Sequence, residues 1–499
     1  MAFPMAEEKS LALLIAALLL LRLVLAAIVP LSVDEAYYWQ WTHPLQLSYY
    51  DHPAMVAWWI RAATALFGDA PLAVRLPAVL ASAATTVVVW KSAALVAGTR
   101  RAGAVAAFWL NAGILFTASG LLITPDAPLL LFWSLALWAA LRLIAGGGPG
   151  NLYLAAAALG LGALSKYTMV LVLPGLLAPF LLFADLRRWW RTPHPYLAGL
   201  LGLLLTTPLL AWNLANGFAS FGKQLNHAFG ESPTGGPANA ATFLAGQAGL
   251  VTPLIFGFAL AAMVWSLIAG WRRRRADWLL LGGVSLPILL FFLFHTLSGP
   301  VQAHWGGPAY LGGIIAAAAL PPAAGRRWRG LYAAAPWLGL VMTLTVLLQA
   351  ATAILPIPPK LDALKRLGGW PELAAAVAAE RQAHPGSFLL TPKHEVTGIL
   401  AYYLPDHPPV FLQGPMRPST YSAAEVAALK GRDAIFVTRA RYDGSGDIAA
   451  YFAQVTRLRQ VDLLWRGQVA DAYVLYLAQD YRGGALVQGD GLNGARDRP

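Results

Sequence analysis

The sequence predicts a polytopic α-helical membrane protein with a small C-terminal α/β domain outside the membrane. Three observations predict it. Of 499 residues, 58% are hydrophobic and only 12% charged, where a soluble globular chain averages about 25% charged. Apolar runs near the roughly 20 residues that cross a bilayer recur up to about position 355. After Pro356-Ile357-Pro358-Pro359 the charges return and no such run follows.

About eleven runs qualify as spans, near 11–29, 73–96, 103–122, 127–146, 152–165, 168–184, 196–212, 243–270, 277–297, 306–320 and 331–354. The fifth and tenth are short, so a re-entrant segment is open there. The first has Lys9 and a Leu-rich core, as a signal peptide would. Its apolar stretch is long and no small-residue cleavage site precedes Asp34, so it reads as a retained span.

A net charge of +12 in a soluble chain would point to nucleic acid, but here its placement decides otherwise. Arginines cluster at Arg100-Arg101, at Arg187, Arg188 and Arg191, at Arg272 to Arg275, and at Arg326, Arg327 and Arg329. Two spans separate each cluster from the next, or four in one case, so the positive-inside rule puts all four in the cytoplasm. The charge therefore records topology and attraction to membrane lipid, with no nucleic-acid partner. Zero cysteines exclude disulfides, thiolate metal sites and a cysteine nucleophile.

This count places the N-terminus in the cytoplasm and six segments outside: 30–72, Thr124–Asp126, Ser165–Thr168, 213–242, Ser298–Trp305 and everything after about 355. The outer segments hold most of the acids, histidines and amides of the membrane half, so chemistry, if there is any, faces outward. Residues 1–355 form the expected membrane domain and 356–499 the outer one. In the latter, β-like runs at Ser387–Thr391, Pro409–Leu412, Ala434–Thr438 and Ala472–Leu477 alternate with helical stretches 371–383 and 422–430, an α/β pattern. It carries no glycine-rich nucleotide loop and no metal signature.

The stretch Leu31 to Pro53, LSVDEAYYWQWTHPLQLSYYDHP, is unlike a plain connector. It carries Asp34, Glu35 and Asp51, with His43 and His52, among Tyr and Trp residues. An aromatic belt anchors helices, but three acids and two histidines exceed what anchoring needs. They point to a site that handles a polar group at the bilayer surface. Asp34-Glu35 reads as a loop pair just past the first span. Ser32 is already available as a helix cap, so the acids either share in capping or form a catalytic pair, one acting as general base on an acceptor hydroxyl while the other orients it.

Asp126, in Thr124-Pro125-Asp126-Ala127-Pro128, either caps the next helix or serves as a second site carboxylate. Tyr49-Tyr50-Asp51-His52-Pro53 opens an amphipathic segment running through Trp58, Trp59 and Arg61. There, rings can stack on sugar faces and His52 can donate to an anionic oxygen. Lys166, in Ser165-Lys166-Tyr167-Thr168, either snorkels or meets a lipid-linked phosphate. The 213–242 loop offers Lys223, Gln224, Asn226, His227 and Glu231, and Ala303-His304-Trp305 offers one more histidine. None of the histidines has metal-ligand spacing such as HExxH, so no metal ligand is assigned.

Taken in order, Asp34-Glu35-Ala36-Tyr37-Tyr38-Trp39, Tyr50-Asp51-His52-Pro53, Thr124-Pro125-Asp126-Ala127-Pro128, Ser165-Lys166-Tyr167 and Ala303-His304-Trp305 resemble the protein-mannosyltransferase-like glycosyltransferases. These are membrane enzymes of the GT-C class and include the bacterial aminoarabinose transferases of lipid A. The resemblance covers the membrane half and a short outer C-terminal domain. It implies a GT-C fold and an inverting transfer from a polyprenyl-phosphate sugar donor to an acceptor on the outer face of a bacterial inner membrane. The acceptor is lipid A or lipopolysaccharide, another glycan, a lipid or a protein. No cofactor is implied, and a divalent metal is left open.

Carried over by position, Asp34 takes the place of the first-loop catalytic acid, Glu35 its neighbour, and Asp126 the second-loop acid. His52 departs from the pattern, because a lysine follows the corresponding acid in the aminoarabinose transferases. Lys166, Lys223 and His304 are then the substitutes for the phosphate clamp. Tyr50, Asp51, Arg61, Tyr167 and His227 complete the expected donor site.

Physical logic agrees, since a sugar on a lipid phosphate keeps its headgroup at the interface. The departing phosphate dianion is stabilised by nearby cations and hydrogen-bond donors. A transporter or flippase of lipid-linked sugars would instead place ionisable residues mid-span in repeated halves. A polymerase or ligase moving glycan blocks from a lipid diphosphate is a related enzyme reading. Asp34→Asn is expected to abolish transfer without disturbing membrane insertion. Lys166→Ala is expected to weaken donor use more than folding.

Overall fold

The computed structural model describes residues 5–229, 235–320, 325–358, 362–413, 421, 423–442, 444–465 and 467–484. The chain begins with α1 (Met5–Ile28), α2 (Val33–Gln40), α3 (Met55–Phe67) and α4 (Pro71–Ala97). Pro71 opens α4 at a position where a missing N–H costs nothing. Thr99 caps α5 (Arg100–Ala112), its Oγ1 accepting from the Ala102 N–H at 3.4 Å. Gly113 then turns the chain by 73° into α6 (Ile114–Leu121).

Next come α7 (Asp126–Ile144), α8 (Gly150–Ala163), a 3-10 turn at Tyr167–Val172, α9 (Leu173–Leu182), α10 (Ala184–Arg187), α11 (His194–Leu205) and α12 (Thr207–Ala215). They lead to α13 (Ala219–Phe229), α14 (Pro237–Val251), α15 (Pro253–Arg272), α16 (Ala276–Gly283) and α17 (Leu286–His295). A 3-10 turn at Ala303–Gly306, α18 (Ala309–Ala319) and α19 (Arg326–Thr352) complete the apolar part.

Among the described residues, six helices are long and apolar enough to cross a bilayer, and up to nine spans result if each of three bent pairs is one. The protein is thus a multi-span membrane protein. Two expected spans, 152–165 and 306–320, correspond to α8 and α18, whose 14 and 11 residues fall short of a full crossing. The expected span 243–270 divides at Thr252-Pro253, because proline cannot continue the hydrogen-bond ladder of α14.

The chain separates into two compact units. One holds Met1–Ala27, Leu47–Val56 and Arg75–Leu347; the other holds Ile28–Gln46, Ala57–Val74 and Leu348–Pro499. In the first, helices meet through small residues, as membrane helices do when backbone contact replaces the hydrophobic drive. A Cβ at Gly175 of α9 would lie 2.3 Å from the Gly283 carbonyl of α16, a contact only glycine allows.

The second unit contains α2, most of α3, and a five-stranded mixed sheet. Its strands are β1 (Phe388–Thr391), β2 (Val410–Leu412), β3 (Ala434–Arg439), β4 (Phe452–Trp465) and β5 (Gln468–Tyr481), in the order β2-β1-β3-β5-β4. Parallel pairing of β1 with β2 and β3 follows from helical crossovers, while β4 and β5 form an antiparallel pair. Phe388, Phe411, Phe436, Phe452 and Tyr481 fill its core. Helices α20 (Trp370–Ala383), α21 (His394–Tyr403), α22 (Ala423–Ala427) and α23 (Ser445–Ala449) accompany the sheet. The four expected strands and the helix at 371–383 are present, while β4 and α21 went unread.

Candidate active site

Within the first unit, five of the segments expected outside the membrane converge. The turn before α3 is closed by an antiparallel bridge between Ser48 and Pro53, with the Tyr49 N–H donating to the His52 carbonyl at 3.2 Å. This leaves Tyr50 and Asp51 at its tip. The Met55 N–H donates to the Leu164 carbonyl at 3.0 Å, fixing the turn against the end of α8. Two residues on, Lys166 precedes the 3-10 turn, its own N–H held by the Gly162 carbonyl at 3.0 Å.

Lys166 reaches Asp126, the first residue of α7. Its Nζ donates to Asp126 Oδ1 at 2.8 Å, and both side chains are buried. His304 approaches the same carboxylate, with Nε2 3.8 Å from Oδ2, an electrostatic contact beyond hydrogen-bond length. A buried amide holds the His304 turn: Gln247 Nε2 donates to the Ala303 carbonyl at 2.6 Å and Tyr310 donates to Gln247 Oε1 at 2.9 Å.

The helix α13 lies on the Tyr50-Asp51 tip. Lys223 Nζ donates to Asp51 Oδ1 and lies 5.0 Å from the Tyr50 ring centroid. Gln224 Nε2 donates to the Asp51 carbonyl at 3.0 Å and Ser220 Oγ to the Tyr50 carbonyl at 2.9 Å. Ser220 also meets the Tyr167 hydroxyl at 2.6 Å.

The charges pair off as Lys166 with Asp126 and Lys223 with Asp51. His52 is enclosed among all four. Burial, helped by Lys166 and Lys223 and opposed by the two aspartates, pushes its imidazole down to about 3. Burial also lowers His304, against the pull of Asp126. Both rings are therefore neutral near pH 7 and act as hydrogen-bond donors or acceptors, not as cations. The cluster offers an arriving anion two ammonium groups that are already poised on carboxylates, plus neutral donors around them.

Tyr50, Asp51, His52, Asp126, Lys166, Tyr167, Lys223 and His304 thus come together. The side chain of His227 and all of Glu231 lie outside the described residues. Asp34, Glu35 and Arg61 belong to the second unit. There, Asp34 and Glu35 occupy the first turn of α2, which corrects the loop expected for them. Glu35 is fully buried and closes a capping box: its Oε2 accepts from the Ser32 N–H at 2.9 Å while Ser32 Oγ accepts from the Glu35 N–H. Two orphan N–H groups of α2 are satisfied this way. Asp34 is exposed on the same turn, and Arg61 is exposed on α3. Among the described residues no group of three or more His, Asp or Glu is arranged to hold a metal ion.

The family model for dolichyl-phosphate-mannose-protein mannosyltransferase matches residues 51–212, a window that opens on Asp51 and includes Asp126 and Lys166. A lipid A galacturonosyltransferase of Rhizobium johnstonii, RgtD, is 30% identical over 388 residues, covering 75% of this chain and 78% of that protein. The chain belongs to the protein-mannosyltransferase-like GT-C glycosyltransferase family. Crystal structures of ArnT from Cupriavidus metallidurans share this fold at 18% identity. The apo form gives a TM-score of 0.63 and the form bound to undecaprenyl phosphate 0.64, each covering 94% of this chain and 98% of that one.

In this GT-C glycosyltransferase, two supporting residues escaped the sequence reading. Gln247 sits inside an apolar run, where a lone amide is the only signal. Ser220, a single hydroxyl in the 213–242 loop with no motif around it, joins Tyr167 to the Tyr50 carbonyl.

Proposed function

We propose that this glycosyltransferase moves a sugar from a polyprenyl-phosphate donor to an acceptor hydroxyl at the outer face of a bacterial inner membrane, with inversion. The observation that carries the reading is the pair of carboxylate-partnered lysines, Lys166–Asp126 and Lys223–Asp51, gathered in one cluster of the first unit. A donor phosphate placed there competes with the aspartates for the ammonium groups. Negative charge that grows on the phosphate as the glycosidic bond breaks meets donors already in position.

Asp34 is the proposed base, on the strength of its matching position in the family. It takes the acceptor hydroxyl proton as the acceptor oxygen bonds to the anomeric carbon. The bond from that carbon to the phosphate oxygen breaks, and polyprenyl phosphate leaves with the electron pair. Glu35, engaged in capping, holds the helix that presents Asp34. RgtD is named for lipid A and ArnT has been captured with undecaprenyl phosphate. A C55-type donor and lipid A are accordingly the first substrates to try, with glycan and protein acceptors as the comparison arms.

Incubating the purified protein with a polyprenyl-phosphate sugar and lipid A should release polyprenyl phosphate and yield glycosylated lipid A. Asp34→Asn should stop both while the protein still inserts and elutes as a folded species. Movement of the lipid-linked sugar between leaflets without release of polyprenyl phosphate would make the protein a transporter instead.

A further inference from the structure

The second unit contains an arrangement that bears on Asp34. The helix α2 has only eight residues, shorter than a helix that is stable alone in water. Its Ser32–Glu35 capping box secures one end, and the rest of its order comes from packing. Ala36, Tyr38, Trp39 and Gln40 are buried, largely under α21 of the C-terminal domain.

The two helices touch backbone to backbone at Gly398. A Cβ there would lie 2.6 Å from both the Cα and the N of Tyr37, and 2.9 Å from the carbonyl carbon of Ala36. No flexible side chain stands between them to yield. On either side of this contact, rings fix the register of α2. His394 packs edge-on against Tyr37 at 4.7 Å, and Tyr402 against Trp39 at 5.1 Å. The Tyr402 hydroxyl donates to the Asp69 carbonyl at 2.7 Å, while the Asp69 carboxylate accepts from Trp39 Nε1 at 2.6 Å. Trp39 is thus held at its ring by Tyr402 and at its nitrogen by the residue that Tyr402 binds.

We propose that α21 of the C-terminal domain is a positioning element for the transfer reaction: Gly398 and Tyr402 set the place and direction of α2, and through it the carboxylate of Asp34. This rests on the reading of Asp34 as the base. The domain would then owe its presence to catalysis and not only to stability, and Gly398 and Tyr402 are positioning residues that touch no substrate.

Gly398→Ala is the direct test, because alanine favours the helix that carries it while its methyl group displaces the neighbouring backbone. The turnover number should fall about 10- to 100-fold, as expected for ångström-scale misplacement of a reacting group. The donor KM should stay near wild type, and the thermal unfolding midpoint should fall only by the few degrees that overpacking by one methyl group costs. Tyr402→Phe keeps the ring and removes only the bond to Asp69, so it should lower turnover by a smaller factor at unchanged KM. Wild-type turnover in a folded Gly398→Ala protein overturns the proposal, as does a loss matched by an equal loss of donor affinity. If Gly398→Ala does not fold, Tyr402→Phe decides alone: reduced turnover at constant KM supports positioning, and wild-type turnover overturns it. Asp34→Asn measured in parallel separates the two layers. An active Asp34→Asn removes the base and this inference with it, whereas an inactive Asp34→Asn beside a fully active Gly398→Ala removes positioning only.

Discussion

Asp126 and Lys166 are each buried and each other's nearest counter-charge, so neither can be removed alone without leaving an ion stranded. Breaking a buried pair from one side costs about 3–5 kcal/mol, whereas replacing both members with apolar groups is often close to neutral. Lys166→Met should therefore lower the thermal midpoint sharply, and the double variant Lys166→Met/Asp126→Leu should recover most of it while transfer stays lost. A double variant as unstable as the single one would mean that other groups carry the charge. This amends the expectation for Lys166→Ala, which considered the donor alone. His52 gives a second test. An unfolded histidine titrates near about 6.5, but in the folded protein His52 is pushed down to about 3. Between those values the unfolded chain binds a proton that the folded one refuses, so stability contributed above about 6.5 is lost as the pH falls toward 3. His52→Gln should flatten this decline between pH 7 and 5 in thermal unfolding, and an unchanged slope would assign it to other groups. The residues of the cluster could be picked out as candidates because acids, lysines and histidines gather in the segments between spans, with capping and snorkelling as the competing uses of Asp126 and Lys166. Their pairing was not legible, because residues 40 apart in sequence do not announce which turns meet. Glu35 was misjudged although Ser32-Val33-Asp34-Glu35 spells a capping box, since its neighbour Asp34 drew both acids into one reading.

At the scale of elements, α13 is fastened to the Tyr50-Asp51 turn by a row of polar contacts from one helix face, Ser220, Lys223 and Gln224. Ser220 is the joint, accepting from the Tyr167 hydroxyl and donating its one proton to the Tyr50 carbonyl. A neutral hydrogen bond nets about 0.5–1.5 kcal/mol, so Ser220→Ala should raise the donor KM roughly 2- to 10-fold with little change in turnover. An unaltered KM would detach α13 from donor binding. Long apolar helices were readable because lipid demands both length and hydrophobicity from them. Short elements escaped for the opposite reason. The edge strand β4 exposes much of its length and carries Arg457, Arg459 and Asp462, so no apolar run marks it. The helix α21 is nearly all buried, and its mixture of His, Glu, Thr and Tyr has no clear amphipathic period to read.

For the whole molecule, the side of the membrane on which each segment lies rests on how many helices cross, and the two short helices and the three bent pairs decide that. An 11-residue helix rises about 16 Å, against a hydrocarbon core of about 30 Å. Yet α18 is buried from Ala309 to Ala318, so protein and not lipid surrounds it, and bilayer thickness does not set its length. The arginines give the second constraint. If α18 crosses, the 272–275 and 326–329 clusters share a side, as the positive-inside rule requires. If it turns back, Arg326, Arg327 and Arg329 lie with the outer turns, and α19 then delivers the C-terminal domain to the cytoplasm, away from an outer-face reaction. A chain without cysteine lets single reporters tell these apart. Pro300→Cys and Arg326→Cys both replace exposed residues, one on each side of α18. In intact cells a membrane-impermeant maleimide should label Pro300→Cys at once and Arg326→Cys only after permeabilisation. Labelling of both from outside would make α18 re-entrant and would place α2, α21 and the sheet in different compartments. The packing of Gly398 on Tyr37 forbids that, so one labelling result tests the membrane topology and the fold of the second unit together.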